Sequence, residues 1–292
     1  MSLASPKIDK SFMLIPFWKV PLHTFVLFSL YSLLGYLAYT QEFGYLAWPL
    51  MGVILSGNLA AAHDCLHCTQ YKNRKLNHIF GIIWCMPLIM NFSIYRKYHL
   101  KHHRFTGVAG DSESREPFES LQEYLWTLTG YSFFRKFIIK QLNVFKGDYV
   151  EKASASQIQA IRFDCFFILL WLFFVIFMTF SNWMMMLMIY WGPLAFYPMM
   201  LIIIGIPEHY DCIDNSDVKK NTRSVSSNFL VRFFVWNSNF HAEHHYSPAV
   251  PTLNLKALHK ELQGVFTYTE KSYFKFHKNL FLKLLNKSKG CK

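Results

Sequence analysis

Charge is missing from four long stretches of this chain. Residues 23–40, 45–62, 163–180 and 183–206 contain one carboxylate, Asp164, and no lysine or arginine. A bilayer span needs about 20 mostly apolar residues, and runs as bare as 166–180 and 184–206 exclude an ordinary soluble domain. The six cysteines, Cys65, Cys68, Cys85, Cys165, Cys212 and Cys291, show no disulfide framework, so free thiols are expected. A redox or zinc reading of the Cys65–Cys68 pair yields to its place between histidines that own one helix face. Residues 1–10 lack the basic, apolar and cleavage regions of a signal peptide, so insertion is expected to rely on the first apolar run. No internal repeat or low-complexity tract is present. No nucleic-acid recognition motif accompanies the net charge of +12, so nucleic acid is not an expected partner.

The basic residues are distributed unevenly. The turns at 41–44 and 181–182 hold none, whereas three precede the first run, 14 fall between the second and third, and 13 follow the fourth. By the positive-inside rule, the four runs are two hairpins with both termini on the cytoplasmic face. The expected architecture is an all-α integral membrane protein: one domain over 1–292, four spans, and a cytoplasmic helical cap formed by 63–162 and 207–292. The basic face suits anionic lipid head groups or an acidic partner protein. Residues 79–92 are apolar but short and interrupted by Gly81 and Pro87, which predicts a shallow or re-entrant helix. Phe118, Leu121, Leu125, Leu128 and then Phe133, Phe134, Phe137 and Ile138 predict an amphipathic helix, in the head-group plane or against the cap. The tail after 253 is expected to cover the site or lie on the membrane.

What is present in excess is clustered histidine. Eight of the thirteen histidines fall in His63-Asp64-Cys65-Leu66-His67, His99-Leu100-Lys101-His102-His103 and His241-Ala242-Glu243-His244-His245. Neutral imidazole is the commonest protein metal ligand, and eight exceed what one ion can use. On a helix, residues four apart are offset by about 40° and residues three apart by about 60° the other way. His63 and His67 therefore share a face, and each His-x-x-His-His triplet fans over about 100°, wide enough to reach two ions. His209, just beyond the fourth run, lies at the height of His63 and His67 and is the expected ninth ligand. His23, His78, His259 and His277 stand singly and are expected not to be ligands. All-imidazole coordination suits iron, copper, zinc or nickel. Structural zinc needs four ligands, whereas nine imidazoles over two ions leave an open position on each, which favours redox iron. Asp64, Glu208, Asn239 and Glu243 are candidates to accept the ligands' second N–H.

Two other classes are weaker. His63-Asp64-x-x-His67 differs from the zinc-protease His-Glu-x-x-His pattern by its shorter acid, and six further histidines would stay unexplained. A metal carrier or channel needs polar groups in mid-bilayer, and these runs offer almost none.

The histidine clusters, together with Gly205-Ile206-Pro207-Glu208-His209, Trp236-Asn237-Ser238-Asn239-Phe240 leading into His241, and Asn221-Thr222-Arg223-Ser224, resemble the membrane fatty-acid desaturase and hydroxylase superfamily from about residue 58 to 259. The resemblance implies two iron ions held by His63, His67, His99, His102, His103, His209, His241, His244 and His245, with O2 as co-substrate and a fatty-acyl or related lipid chain as substrate. Some members carry an asparagine where Gly205 stands. No cytochrome b5-like segment is fused to the chain, so the resemblance implies a separate electron donor of ferredoxin, rubredoxin or cytochrome b5 type. It implies desaturation first, with hydroxylation, ketolation or terminal-alkene formation as alternatives. The motif context favours a bacterial inner membrane over endoplasmic reticulum.

Overall fold

A computed structural model describes residues 8–113, 117–146 and 153–289; Cys291 and residues 1–7 lie outside them. The chain is mostly helical. Helix α1 (Lys19–Thr40) leads through a short 3-10 turn to α2 (Trp48–Leu66), then α3 (Arg74–Cys85), α4 (Phe92–Phe105), α5 (Leu121–Leu128), α6 (Tyr131–Phe145) and α7 (Ala155–Ser181). Helix α8 (Trp183–Met186) passes through a π turn at Leu187–Trp191 into α9 (Gly192–His209). The last third holds α10 (Val218–Asn221), β1 (Arg223–Val225), α11 (Phe229–Phe234), α12 (His241–Tyr246), α13 (Thr252–Glu261), β2 (Tyr268–Glu270) and α14 (Tyr273–Ser288). Side-chain oxygens start many of these helices by accepting orphan N–H groups. Asn73 does so for α3, Asn91 for α4, Ser120 for α5 and Asn182 for α8, and a full Ser154–Gln157 capping box begins α7.

Four helical segments are long and apolar enough to cross a membrane: Lys19–Thr40, Gly44–Leu66, Ala155–Ser181 and Trp183–His209. They coincide with the four charge-poor runs. Their outward apolar side chains are uncovered by protein; Phe173 and Phe180 of α7 are 73% and 89% exposed. Such a surface is stable only against an apolar solvent, which marks a membrane protein.

The innermost contact is α2 against α9. Gly52 lets the two backbones approach, since a Cβ there would lie 2.9 Å from Cβ of Phe196. The π turn releases carbonyls from the regular ladder, and neighbouring helices supply donors. Tyr31 Oη of α1 donates to the Ile189 carbonyl at 2.8 Å, and Trp48 Nε1 of α2 donates to that of Met188 at 3.0 Å.

One expectation is narrowed and two are corrected. Of the two alternatives for residues 79–92, the single shallow helix is set aside and the re-entrant geometry is the one that fits: α3 ends at Cys85, Ile89 takes a left-handed φ of 55°, and α4 restarts at Phe92 with a bend of 103°. The buried Asp164 carboxylate of α7 fixes this bend by accepting the Ser93 N–H at 2.7 Å. The amphipathic stretch around 118–138 is two helices, split at Gly130. The fold is not purely helical, because β1 and β2 pair in parallel, with Ser224 opposite Thr269; three-residue strands are too short to show alternation. Among the described residues, Cys65, Cys68, Cys85, Cys165 and Cys212 are free, and Cys65 donates to Gln70 Oε1. In the tail, α14 packs on α5 and α9, and α13 on α12.

Gly130 seats the α5–α6 pair on α9. Its φ is +70°, and a Cβ would fall 2.3 Å from the carbonyl carbon of Pro198. Gly130→Ala is expected to destabilise the fold by about 2–3 kcal/mol, from left-handed strain plus displaced packing. Gly264→Ala, at φ +79° in open space, should cost only the strain, about 1 kcal/mol. Thermal or urea unfolding of both variants in detergent micelles checks the difference.

Candidate metal centre

Four helices deliver the histidines to one place. The C-terminal turn of α2 carries His63 and His67, α4 carries His99, His102 and His103, the end of α9 carries His209, and α12 carries His241, His244 and His245. The first two are tied directly, because Arg96 Nε of α4 donates to the Leu66 carbonyl at the end of α2. That carbonyl is one of the orphan acceptors at a helix C-terminus.

The nine rings form two adjoining sets: His63, His67, His99, His103 and His244, and then His102, His209, His241 and His245. Within each set, one nitrogen per ring lies within 4.8 Å of the others. Each His-x-x-His-His fan divides between them, and the sets meet where the rings of His103 and His245 stack at 4.2 Å. His23, His78, His259 and His277 stay outside; their partners are the Phe233 carbonyl, Asp164, Glu243 and Tyr124 respectively.

The protonation pattern is decided by what faces the other ring nitrogen. His102 Nδ1 lies 2.7 Å from Asp111 Oδ1, and His209 Nδ1 lies 3.0 Å from the Asn221 carbonyl. An acceptor at Nδ1 places the proton there and leaves Nε2 a lone pair. Yet His102 Nε2 and His209 Nε2 face each other at 3.1 Å, and His209 Nε2 faces His241 Nε2 at 2.9 Å. In the other set, His99 Nδ1 is 3.3 Å from Glu113, while its Nε2 faces His103 Nε2 at 2.9 Å, which faces His244 Nε2 at 2.9 Å. A neutral imidazole has one donor, so these chains cannot all be hydrogen bonds. Lone pairs about 3 Å apart are what two nitrogens show when both bind one ion at about 2.1 Å and a right angle. Buried His63 Nδ1, His67 Nε2 and His245 Nε2 have no hydrogen-bond partner. The donor set fits two cations.

Electrostatics agree. Burial, and then neighbouring imidazoles, hold His241, His244 and His245 well below the ordinary histidine range. These three rings are therefore neutral near pH 7, the form that binds metal, whereas His102, hydrogen-bonded to Asp111, is shifted upward.

The carboxylates around the rings differ from those expected. Glu208 does approach a ligand ring, its Oε1 lying 3.5 Å from His241 Nδ1. Asp64 instead accepts from the backbone N–H and hydroxyl of Thr252 and from the Thr69 hydroxyl. Glu243 binds the Ser224 hydroxyl and His259 Nδ1, and Asn239 donates to the Val225 carbonyl. The reason is angular: Asp64 follows His63 by about 100° around its helix, and Glu243 is offset similarly from His244. The partners missed are Asp111, Glu113 and Asn221. Asp111 and Glu113 lie in the loop after α4, and Asn221 acts through a carbonyl, which no side chain signals.

The Asn221-Thr222-Arg223-Ser224 segment braces the four-histidine set. Asn221 receives His209 and donates through Nδ2 to the Thr106 carbonyl beyond α4. Arg223, buried, donates to the carbonyls of Pro207 and Tyr210 at the end of α9. Ser224 accepts the Ala242 N–H of α12 and holds Glu243. Three of these four consecutive residues thus join α4, α9 and α12.

Asp111→Asn is expected to weaken metal binding by the four-histidine set about 10–100-fold. Arg223→Lys, which loses the planar fork, should act in the same direction. Because the five-histidine set uses neither residue, metal per chain should fall from about two to about one after dialysis against a weak chelator. Elemental analysis with circular dichroism as a folding control reads this, and equal loss from both sets would contradict the assignment.

Comparison with known proteins bears on what such a centre belongs to. A family profile described as Fatty acid desaturase matches residues 42–277. The chain is 25% identical over 239 residues to the chloroplastic omega-6 fatty acid desaturase of Glycine max, covering 75% of this chain and 56% of that protein. It is 25% identical over 253 residues to the omega-3 fatty acid desaturase fat-1 of Caenorhabditis elegans, covering 77% and 62%. To the sn-1 oleoyl-lipid 12-desaturase of Picosynechococcus sp. it is 22% identical over 255 residues, covering 77% and 71%. The matched region thus spans little more than half the length of the first two relatives. With its match running through all four histidine-bearing elements, the chain belongs to the fatty acid desaturase family.

Proposed function

We propose that this chain is an oxygen-dependent di-iron desaturase acting on a fatty-acyl or related lipid chain, with its whole length serving as one catalytic domain. The observation that carries the proposal is the pair of buried imidazole sets with converging lone pairs. When bound, the ions would supply the activation of O2 needed to remove hydrogen from an unactivated methylene. Nine imidazoles would hold them, five at one ion and four at the other. All-nitrogen coordination with open positions fits redox iron better than closed structural zinc.

The residues around the ions have definable roles. A cavity of about 560 Å³ reaches His63, His99, His209, His241 and His244 and is walled by Leu59, Ala60, Leu201, Ile202 and Val235. Its apolar wall would hold the chain, exclude water and set which carbon lies nearest the ions. Asp111, Glu113 and Glu208 accept from the outer ring nitrogens and fix each ligand's tautomer and orientation. The four apolar helices would form two hairpins, with the histidines, the cap and both termini on the basic, cytoplasmic face of a bacterial inner membrane. That face suits an acidic electron donor of ferredoxin, rubredoxin or cytochrome b5 type.

Protein purified without oxygen is expected to contain about two irons per chain, in line with one ion per imidazole set. With O2, reductant and donor protein it should convert saturated or monounsaturated acyl lipids to products two mass units lighter. His244→Ala should cut turnover by at least the roughly 100-fold that outer-shell changes cost. Zinc in place of iron, or an exclusively hydroxylated product, would overturn the assignment.

A further inference from the structure

Proline stands two residues before the histidine that α9 supplies. Pro207 lies inside that helix and is followed by Glu208 and His209. A helical N–H bonds to the carbonyl four residues back, and proline has no N–H. The Ile203 carbonyl therefore lacks its ladder donor. His277 of α14 takes that place, its Nε2 lying 2.8 Å from the Ile203 oxygen. The other ring nitrogen, Nδ1, lies 2.8 Å from Tyr124 Oη of α5. A carbonyl only accepts, so Nε2 carries a proton. Burial holds the ring below the ordinary histidine pKa, so the ring is neutral and Nδ1 accepts from the Tyr124 hydroxyl.

The relay lies within one packed cluster. Tyr124 is buried among side chains that include Ile202, Ile206, Tyr210, Phe276 and Leu280. The Phe118 N–H, ahead of α5, donates to Tyr210 Oη just past α9. The helix keeps its following rung, from the Tyr210 N–H to the Ile206 carbonyl at 3.2 Å. Arg223 holds the carbonyls of Pro207 and Tyr210. The turn that carries His209 is thus gripped from two sides, by Arg223 at its last carbonyls and by His277 at the carbonyl its proline opens. Glu123 and Thr127, which flank Tyr124 on α5, line the cavity. One relay therefore joins the cavity wall to the turn that bears a ligand.

We propose that His277 is a positioning residue for the four-histidine set, with Tyr124 fixing its tautomer. It fills the gap that Pro207 leaves in the α9 ladder. It thereby holds His209 where its Nε2 meets those of His102 and His241. The proposal rests on the two-ion reading of the rings and is independent of the reaction carried out there. His277→Phe separates the bond from the packing, because it keeps a ring in place and removes the donor.

Metal retention combined with a double-mutant cycle tests this without turnover. The full-length protein in detergent is freed of metal, loaded with cobalt(II) alone and dialysed against a weak chelator. Cobalt per chain and its visible absorption bands are read, with circular dichroism as the folding control. His277→Phe should weaken the four-histidine set about 10-fold, so that cobalt falls from about two ions to about one. Tyr124→Phe should weaken it about 3-fold, the size of one neutral hydrogen bond; this milder cut decides the matter if His277→Phe does not fold. His277→Gln, whose Nε2 still donates, should hold both ions. In a Pro207→Ala background the regained N–H takes the Ile203 carbonyl, and adding His277→Phe should then cost less than about 2-fold. Leu284→Ala cuts the same cluster two turns further along α14; it should lower the unfolding temperature and leave both ions bound. A His277→Phe protein that keeps both ions, an equal cost in both Pro207 backgrounds, or equal metal loss from Leu284→Ala would overturn the proposal. Wild type holding fewer than two ions would overturn the two-ion centre along with it; wild type holding two beside a silent His277→Phe would overturn the positioning role alone.

Discussion

Repulsion between facing imidazole lone pairs is the constraint on which the rest of this structure depends. His102, His209 and His241, whose outer nitrogens face Asp111, the Asn221 carbonyl and Glu208, turn their inner nitrogens toward one another at 2.9–3.1 Å. That arrangement is unfavourable in a dry interior without cations, and strongly favourable with them. The scaffold therefore has to hold the rings close before metal arrives, and the braces around them serve that end. Arg96 ties α4 to α2, Arg223 closes the end of α9, and Ser224 fixes the start of α12. Each satisfies backbone groups that a helix end leaves open, so one contact both completes a helix and places a ligand.

The membrane frame serves the same purpose at longer range. Helices in lipid gain little from hydrophobic association and rely on close packing and satisfied backbone. The α2–α9 contact at Gly52 and the donors from Tyr31 and Trp48 onto the π turn are of this kind. They fix α2 and α9 relative to each other, and those helices end in His63, His67 and His209. Asp164, a buried carboxylate within an apolar helix, is costly in that setting. Its bond to Ser93 N–H at the start of α4 explains its presence, because that bond aims the helix that carries three histidines.

Much of this was legible in the sequence because it depends on residue type and period. Absence of charge over about 20 residues marks a helix in lipid, and the four segments fall where the charge is missing. Histidines at spacings of three and four must share a face, so the division of each triplet between two sets follows from the helix itself. What escaped depends on the path of the backbone. The bend at Ile89, the π turn and the β1–β2 pair have no periodic signature. Asp111 and Glu113 reach the rings only because the loop after α4 folds back, and Asn221 contributes a carbonyl that any residue possesses. Glu243 was the opposite case: proximity in sequence suggested a contact that the helical angle forbids.

The two sets are not equivalent, and the difference lies outside the ligands. Three of the four rings in the smaller set have a defined outer acceptor: Asp111 for His102, the Asn221 carbonyl for His209 and Glu208 for His241. The fourth, His245, has the Thr106 hydroxyl at 3.4 Å from its Nδ1. In the larger set, Glu113 faces His99, while His63 Nδ1 and His67 Nε2 are buried without a partner. Outer acceptors raise imidazole basicity and fix ring orientation, so fewer rings with better support can match more rings with less. The smaller set gains its hold from the braces of the Asn221–Ser224 segment, the larger from a fifth ring. The cavity opens onto both, touching His63, His99 and His244 of one and His209 and His241 of the other. The cavity therefore opens onto two imidazole sets that are held in place by different means.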